Sequence, residues 1–272
     1  MIPLPSQPKI IEKKGNRALF EIESLYPGYG VTVGNTLRRV LLSSLEGSAV
    51  TQVKIKGAQH EFSTIPGVLE DVVTILLNIK QLRFKLHTEE PQKAKLSIKG
   101  EKIVKGSAFD LSPQVELMNK DAHVATLTSR GAHLDIEILI EKGLGYEPVE
   151  TRKKGKLEIG SIALDAIFTP VRKVSYRVES MRVGEKTDFD RLFVDLETDG
   201  TLSPEEAVSR ASDVLVQHFS LLGESLKKKE KTLHEKTLVK RVKKAKKAKK
   251  VKRAEKSTAK KHAKKKKRKK IK

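Results

Sequence analysis

The sequence predicts an α+β protein in which amphipathic helices lie on antiparallel sheet and a strongly basic segment follows. Apolar residues recur with helical spacing in three stretches, at 36–46, 68–82 and 204–226. Short alternating apolar and polar runs, bounded by turn residues, fill most of the remainder and are densest over 83–140. Runs of this kind are typical of antiparallel strands with one face buried.

The chain of 272 residues divides by charge into a neutral body and a basic tail. Residues 227–272 carry 26 of the 56 Lys and Arg residues and 3 of the 34 Asp and Glu residues, so the tail has a net charge of +23 and the body −1. The absence of cysteine excludes disulfides and thiolate chemistry. No charged segment followed by an apolar run marks a secretory signal, and no stretch approaches the roughly 18 apolar residues of a membrane span. We therefore expect no membrane partner.

The stretch YPGYGVTVGNTLRRVLLSSLEG, residues 26–47, predicts a glycine-containing turn followed by a short amphipathic helix. Asn35 is suited to cap this helix and Gly47 to end it. Arg38 and Arg39 point about 100° apart on a helix, so they cannot both lie on its apolar face. A cation in the N-terminal half opposes the helix dipole, which indicates an external partner for at least one arginine. The alternative is that both are ordinary solvated residues. The apolar stripe consists of Leu37, Val40, Leu41 and Leu45.

The segment that begins at Ser203 predicts a helix that pairs with a second copy of itself. Ser203, Pro204 and Glu206 form a capping box with proline at the first helical position. The apolar residues that follow recur close to the 3.5-residue period of helices that pack along one another. They are Val208, Ala211, Leu215, His218, Leu222 and Leu226, and Phe219 widens the stripe. We interpret this stripe as the seam of a two-fold dimer; the alternative is that it covers the protein's own sheet.

Five blocks in the same order resemble the amino-terminal domain of the bacterial or plastid RNA polymerase alpha subunit. They are GNTLRRVLLSS, VKIKGAQHEFSTIPGVLEDV, FTPVRKVSYRVE, RVGEKTDFDRL and LETDGTLSPEEA, and the match covers roughly residues 5–226. The resemblance implies a dimerisation domain in two parts, 1–46 and 170–226, with helices on an antiparallel sheet. A β-rich domain, 47–169, is inserted between them. It further implies a homodimeric, non-catalytic scaffold on which the beta and beta-prime subunits of DNA-directed RNA polymerase assemble.

The resemblance also implies three sets of contact residues. Contact with the beta subunit is assigned to Arg38, Arg39, His60 and Glu61. Arg39 carries much of that contact, and lysine would replace it poorly because guanidinium recognition is bidentate. Contact with the beta-prime subunit is assigned to Lys80, Leu164 and Arg191. Dimerisation is assigned to Leu37, Leu41, Val208, Ala211, Leu215, His218, Phe219 and Leu222.

No set of residues in the chain predicts catalysis. His60 and Glu61 are adjacent rather than spaced as in an HExxH helix. Asp188, Asp190 and Asp195 could suggest magnesium, but the basic residues around them favour a solvated charge network. No phosphate-binding lysine motif and no nucleophile elbow is present. We therefore expect no cofactor, no metal and no catalytic residue, and an enzymatic role only as part of the polymerase, a nucleotidyltransferase.

The lysine-rich tail, 227–272, departs from the family pattern, in which a linker leads to a small DNA-binding helical domain. Its like charges predict disorder in isolation. They also predict non-specific, salt-dependent contact with DNA or RNA phosphates. Contact with an anionic membrane and passive solubilisation are the alternatives. The neutral body argues against a histone-like or ribosomal protein, and an enzyme built on the insert lacks candidate residues. The expected location is the bacterial cytoplasm, with the nucleoid, or a plastid.

Overall fold

A computed structural model of the protein describes residues 2–58, 60–152 and 160–224. Residues up to Leu215 form one compact unit, and those from Val216 belong to a second unit. The described part is mostly antiparallel sheet with few helices, as the sequence predicts. None of its helices is long and apolar enough to cross a membrane. The lysine-rich tail lies outside the described residues.

Helices and strands follow one another in an order that places most of the strands between the first and last helices. The helices are α1 (Tyr29–Ser43), α2 (Val72–Lys80) and α3 (204–224), with a 3₁₀ turn at Gly106–Ala108. The strands are β1 (Lys9–Lys14), β2 (Arg17–Leu25), β3 (Glu46–Ile55), β4 (Phe84–Leu86), β5 (Gln92–Lys99), β6 (Lys102–Lys105), β7 (Val115–Leu117), β8 (His123–Leu127), β9 (His133–Leu144), β10 (Tyr146–Glu147), β11 (Ser161–Ala163), β12 (Ala166–Ile167), β13 (Val171–Val183) and β14 (Lys186–Thr198).

One sheet joins the two ends of the body. It has four antiparallel strands in the order β1-β2-β14-β13, so β2 near the amino terminus pairs with β14 far along the chain. Helix α1 packs on β13 and β14. The core between them includes the fully buried Leu41, Leu192 and Leu196. All of its buried residues come from 18–45 and 171–211.

The second large sheet is built from the middle of the chain. Its path is β5-β9-β3-β4-β7, with β11 added beside β3. Helix α2 contributes Ile75 and Ile79, both fully buried, to a core whose buried residues all lie within 50–164. Two-stranded sheets, β6-β8 and β10-β12, complete the described architecture.

Helix α1 differs from its prediction at both ends. It begins at Tyr29, after Gly28, whose φ of 81° lies in the left-handed region and whose position carries no side-chain cap. Asn35 is an exposed residue inside the helix rather than its cap. The helix ends at Ser43, and Gly47 already belongs to β3. The predicted boundaries are wrong because the glycine-rich segment, interpreted as a turn, is itself largely helical.

Gly30 and Gly34 explain why that segment is rich in glycine. A Cβ on Gly30 would lie 2.7 Å from Cγ1 of Val178, and one on Gly34 would lie 2.7 Å from Cδ2 of Tyr176. The two glycines are one helical turn apart and face β13 together. They let α1 approach the sheet more closely than any side chain allows. The backbone N–H of Gly30 also donates to Asp190 Oδ2 at 2.9 Å.

Helix α2 is shorter than the stretch 68–82 that predicts it. Asp71 is its N-cap, and its side chain accepts a hydrogen bond from the backbone N–H of Thr74 at 2.9 Å. Lys80 occupies the last turn, where a cation suits the helix dipole, as predicted. Leu69 precedes the helix and is exposed, so the predicted apolar stripe is wrong at that position.

Candidate protein-contact surfaces

The two arginines of α1 are exposed and consecutive. Because the helix begins earlier than predicted, Arg38 and Arg39 lie in its C-terminal half. The dipole favours cations there, so the predicted electrostatic argument for an external partner is wrong. Within the described part of the chain, neither guanidinium has an ion-pair or hydrogen-bond partner. Two adjacent uncommitted guanidinium groups can form bidentate bonds to carboxylates or carbonyls.

Residues 60–63 form a loop that is hydrogen-bonded to the start of α2, and most of their side chains are exposed. The backbone N–H of Ser63 donates to the carbonyl of His60 at 3.1 Å, and that of Val72 donates to the carbonyl of Ser63 at 3.2 Å. His60, Glu61 and Phe62 are all exposed, Phe62 by 76%. The predicted set omitted Phe62, although an aromatic residue between polar ones in a loop is a usable signal for a contact surface.

The residues assigned to beta-prime fall in different environments. Lys80 Nζ lies 3.6 Å from Asp165 Oδ2. Leu164, beside Asp165 in sequence, is 7% exposed and belongs to the core of the six-stranded sheet. Its burial does not match the predicted direct contact with another protein. Arg191 lies on the other large sheet, where its Nη2 is 3.3 Å from Glu23 Oε1.

Asp165 connects Lys80 to the neighbouring loop. Its Oδ1 accepts a hydrogen bond from the backbone N–H of Val149 at 3.0 Å. This bond, with the nearby ammonium of Lys80, holds the pKa of the Asp165 carboxyl below its usual value. The carboxylate is therefore ionised at neutral pH and lies within ion-pair distance of Lys80.

Helix α3 begins as predicted, with the hydroxyl of Ser203 accepting from the backbone N–H of Glu206 at 3.2 Å. Ala211 is fully buried in the chain's own core, as Leu41 is on α1, and Leu37 is 7% exposed. Leu41 and Ala211 have no surface to offer and Leu37 has little, so the prediction that these three side chains contact a second copy does not match the structure. They instead hold the two helices onto the sheet.

The later part of α3 carries its apolar residues on the surface. Val208 and Leu215 are half-buried, whereas His218 is exposed. The large exposed apolar residues are Val216 (62%), Phe219 (63%), Leu221 (69%) and Leu222 (58%). Val216 and Leu221 were not in the predicted stripe, and Leu226 lies outside the described residues.

Two of the three aspartates of β14, Asp190 and Asp195, make structural contacts, whereas Asp188 is exposed. Asp195 accepts two hydrogen bonds from Arg17, at 2.8 and 2.6 Å, and this pairing holds the pKa of its carboxyl below the usual value. Asp190 faces α1 through Gly30, on the other side of the sheet. In residues 2–58, 60–152 and 160–224, no group of three or more His, Cys, Asp or Glu side chains could hold a metal ion.

Comparison with known proteins identifies the family. Residues 53–169, which contain most of the six-stranded sheet, match the model of the RNA polymerase Rpb3/RpoA insert domain. The DNA-directed RNA polymerase subunit alpha of Oceanobacillus iheyensis is 46% identical over 219 residues, which cover 79% of this chain and 69% of that relative. The chain belongs to the family of DNA-directed RNA polymerase alpha subunits. The family predicted from the sequence blocks is thereby confirmed.

Other alpha subunits show similar agreement. That of Rubrobacter xylanophilus is 46% identical over 220 residues, which cover 81% of this chain and 70% of the relative. That of Roseiflexus sp. (strain RS-1) is 47% identical over 216 residues, which cover 79% of this chain and 66% of the relative. The chain thus spans about two thirds of the length of these alpha subunits. Membership of this family also decides against the histone-like and stand-alone enzyme alternatives.

Proposed function

We propose that the chain is a non-catalytic subunit of DNA-directed RNA polymerase, which forms a homodimer and carries the beta and beta-prime subunits during assembly. The observation that supports this most strongly is the identity of 46% to an alpha subunit across 79% of the chain. Exposed apolar and basic surfaces on α1, α3 and the loop before α2 are consistent with a protein that works by contact.

The exposed part of α3 supports self-association. Val216, Phe219 and Leu222 recur every three residues on one side of α3 and are each more than half exposed, whereas Leu221 points to the opposite side of the helix. Apolar clusters of this density on a surface usually mark an interaction site. In a two-fold dimer the same patch meets itself, so each copy would bury the other's apolar residues. Val208 and Leu215, both half-buried, are the other α3 residues proposed for dimerisation.

Arg38, Arg39, His60 and Glu61 form the proposed beta-contact set. The two guanidinium groups have no partner in the described part of the chain, and arginine is enriched among residues that dominate interfaces. A buried contact of this kind would give them the carboxylate or carbonyl acceptors that the chain itself does not provide.

Lys80 and Arg191 are the proposed beta-prime contacts. Each is held by an acidic neighbour, Asp165 or Glu23, at 3.6 and 3.3 Å. Leu164 would act by fixing the position of Asp165, because its own side chain is buried. Each place carries a cation beside a carboxylate, so a partner surface that presents charges of both signs would suit it better than an apolar surface.

The proposed domain division follows the two cores. Residues 1–46 and 170–226 form the dimerisation domain, and 47–169 form the insert. One core takes all its buried residues from 18–45 and 171–211, while the largest core cluster lies wholly inside the insert. In this division, the dimerisation domain and the insert each have a hydrophobic core of their own.

The tail is proposed to contact nucleic acid without sequence preference in the bacterial nucleoid or in a plastid. Its charge of +23 supports this, since Lys and Arg release counterions from phosphates when they bind. Deleting 227–272 should leave assembly intact and reduce the slope of DNA affinity against salt. An unchanged slope would contradict the proposal that the tail contacts nucleic acid.

The whole proposal is tested by light scattering and affinity capture. The purified full-length chain should elute as a dimer at micromolar concentration. A tagged copy, co-expressed with the beta and beta-prime subunits of its own organism, should retain both on the column. A monomer that retains neither subunit would overturn the proposal.

A further inference from the structure

Two exposed apolar residues flank Thr126 on the surface of the insert. Val68 pairs with Leu127 in an antiparallel bridge, and the backbone N–H of Leu69 donates to the carbonyl of Thr126 at 2.9 Å. On the other side of β8, Ile103 of β6 stands opposite Thr126. Leu69, Thr126 and Ile103 therefore form one row across three neighbouring chain segments, with their side chains on the same face.

This row is the exposed part of one face of a small sheet whose other face is buried; Val124, two residues before Thr126 on the same face, is itself fully buried. Leu127 and Val104, adjacent to the row along β8 and β6, are each 1% exposed and belong to the core. Leu69 is 71% exposed and Ile103 is 60% exposed. A half-buried antiparallel strand normally places polar residues on its outer face. Here the two outer positions on either side of the threonine are large and aliphatic.

The centre of the row is held rigidly by Glu70. Its Oε2 accepts from the backbone N–H of Thr126 at 2.6 Å, and its Oε1 accepts from the Thr126 hydroxyl at 3.0 Å and lies 2.8 Å from His123 Nε2. Burial raises the pKa of the Glu70 carboxyl, but these hydrogen bonds outweigh it and hold the pKa below its ordinary value. The polar groups between the two aliphatic residues are thus already satisfied, which lowers the cost of covering them.

The row is continuous with the segment at 60–63. Residues 69 and 70 lead directly into α2, and the first residue of α2, Val72, donates its backbone N–H to Ser63 at 3.2 Å. Phe62, beside Ser63, is 76% exposed. Phe62 and Leu69 therefore both lie next to the first turn of α2, and Ile103 follows Leu69 across Thr126.

We infer that Leu69, Thr126 and Ile103 extend the beta-docking surface beyond residues 60–63, and that they receive apolar side chains of the beta subunit. This inference rests on the proposed function, in which the 60–63 segment meets beta. The arginines of α1 would supply directional hydrogen bonds, whereas this row would supply apolar contact area. Exposed aliphatic residues beside satisfied polar groups are suited to the desolvated centre of an interface.

The test is quantitative capture of beta by the full-length dimer. A Leu69→Ser/Ile103→Ser variant should weaken beta binding by roughly 10-fold or more, because it removes most of the apolar area of the row. The matched control is Ile11→Ser on β1, where a residue 51% exposed lies on the other sheet. It should bind beta like the unmodified chain.

Thermal unfolding, beta capture and oligomeric state together distinguish the possible outcomes. Thermal unfolding of the double variant should match that of the control; if it does not, Ile103→Ser alone replaces it and should weaken binding at least threefold. Binding within twofold of the unmodified chain, while Arg39→Ala abolishes it, would overturn this inference and leave the proposed function standing. A shift of the variant from dimer to monomer would assign the row to self-association and also overturn the inference. Failure of the unmodified chain to capture beta would instead overturn the proposed function.

Discussion

Gly34 lies so close to Tyr176 that a Cβ would stand 2.7 Å from the ring, nearer than carbon atoms pack. The same Cβ would lie 2.8 Å from Cδ1 of Leu192. Because both neighbours are part of the packed sheet, a side chain at residue 34 must push α1 away from β13 and β14. Helix propensity alone would favour almost any residue over glycine at this position.

Gly34→Val should therefore lower the free energy of unfolding by about 1–3 kcal/mol. Urea unfolding at a fixed protein concentration measures this change, since dimer formation makes stability depend on concentration. The control is Gly131→Val, at a position where no atom lies within 4 Å of a new Cβ. It should change stability by less than about 0.5 kcal/mol. Equal effects of the two substitutions would contradict the close packing described for α1.

Arg39→Ala should remove beta binding while the dimer persists. The guanidinium is exposed and has no partner in the described residues, so its loss should not affect folding. Arg39→Lys should also bind poorly, because an ammonium cannot form the bidentate bond. Affinity capture of beta, with light scattering on the same sample, measures both properties. Arg130→Ala, at another exposed arginine, is the control. Dissociation of the Arg39→Ala dimer would mean that this face belongs to self-association.

Phe219→Glu should convert the dimer to a monomer. The ring is 63% exposed in the single chain, and burying a carboxylate in its place costs several kcal/mol unless a cation pairs with it. The matched control is Gln217→Glu, which adds the same charge at an exposed position two residues earlier on α3. Light scattering at micromolar concentration distinguishes the two. A Phe219→Glu chain that remains dimeric would reject the proposed seam.

Glu70→Gln should destabilise the protein at pH 7 by about 1–3 kcal/mol. The amide has one oxygen in place of the two carboxylate oxygens that contact Thr126 and His123. The folded-state pKa of Glu70 is below its ordinary value of 4.5, so the carboxylate stabilises the fold fully above that value. This contribution is lost as the pH falls through the lowered pKa. The difference between the variant and the unmodified chain should therefore shrink in acid.

Urea unfolding at pH 7, 5 and 3 follows this difference. The exposed Glu101→Gln is the control and should give nearly the same stability as the unmodified chain at each pH. A difference that stays constant or grows toward pH 3 would show that the Glu70 carboxylate does not stabilise this part of the insert.

Short sequence patterns predicted the helices and strands whose formation depends on residues close together in the chain. The cap at Ser203 acts on Glu206 as the capping box indicates, and the alternating runs at 17–23 and 49–55 lie inside strands β2 and β3. Strand β1 was not predicted, because all six of its residues are exposed and its apolar residues do not alternate. An edge strand of this kind is defined by its pairing with β2, which no local pattern records.

Contacts that depend on tertiary packing were harder to predict. Gly30 was interpreted as a turn residue, but its role is to let α1 approach β13, which depends on a strand about 150 residues away along the chain. Leu164 and Ala211 were assigned to interfaces, yet both are buried within the chain. Periodicity shows which face of a helix is apolar, but it cannot decide whether that face meets the same chain or another.

The pairing of β2 with β14 sets an order of events during synthesis on the ribosome. Ile22 stands opposite Leu192, so the four-stranded sheet cannot close until almost the whole body has been translated. The last strand of the six-stranded sheet ends at Ala163, so that sheet can fold while translation continues. Domains generally fold as units as they emerge. Strands β1 and β2 can pair with each other early, but the edge of β2 that receives β14 must stay unpaired until then, and chaperones that bind nascent chains would meet that edge during the interval.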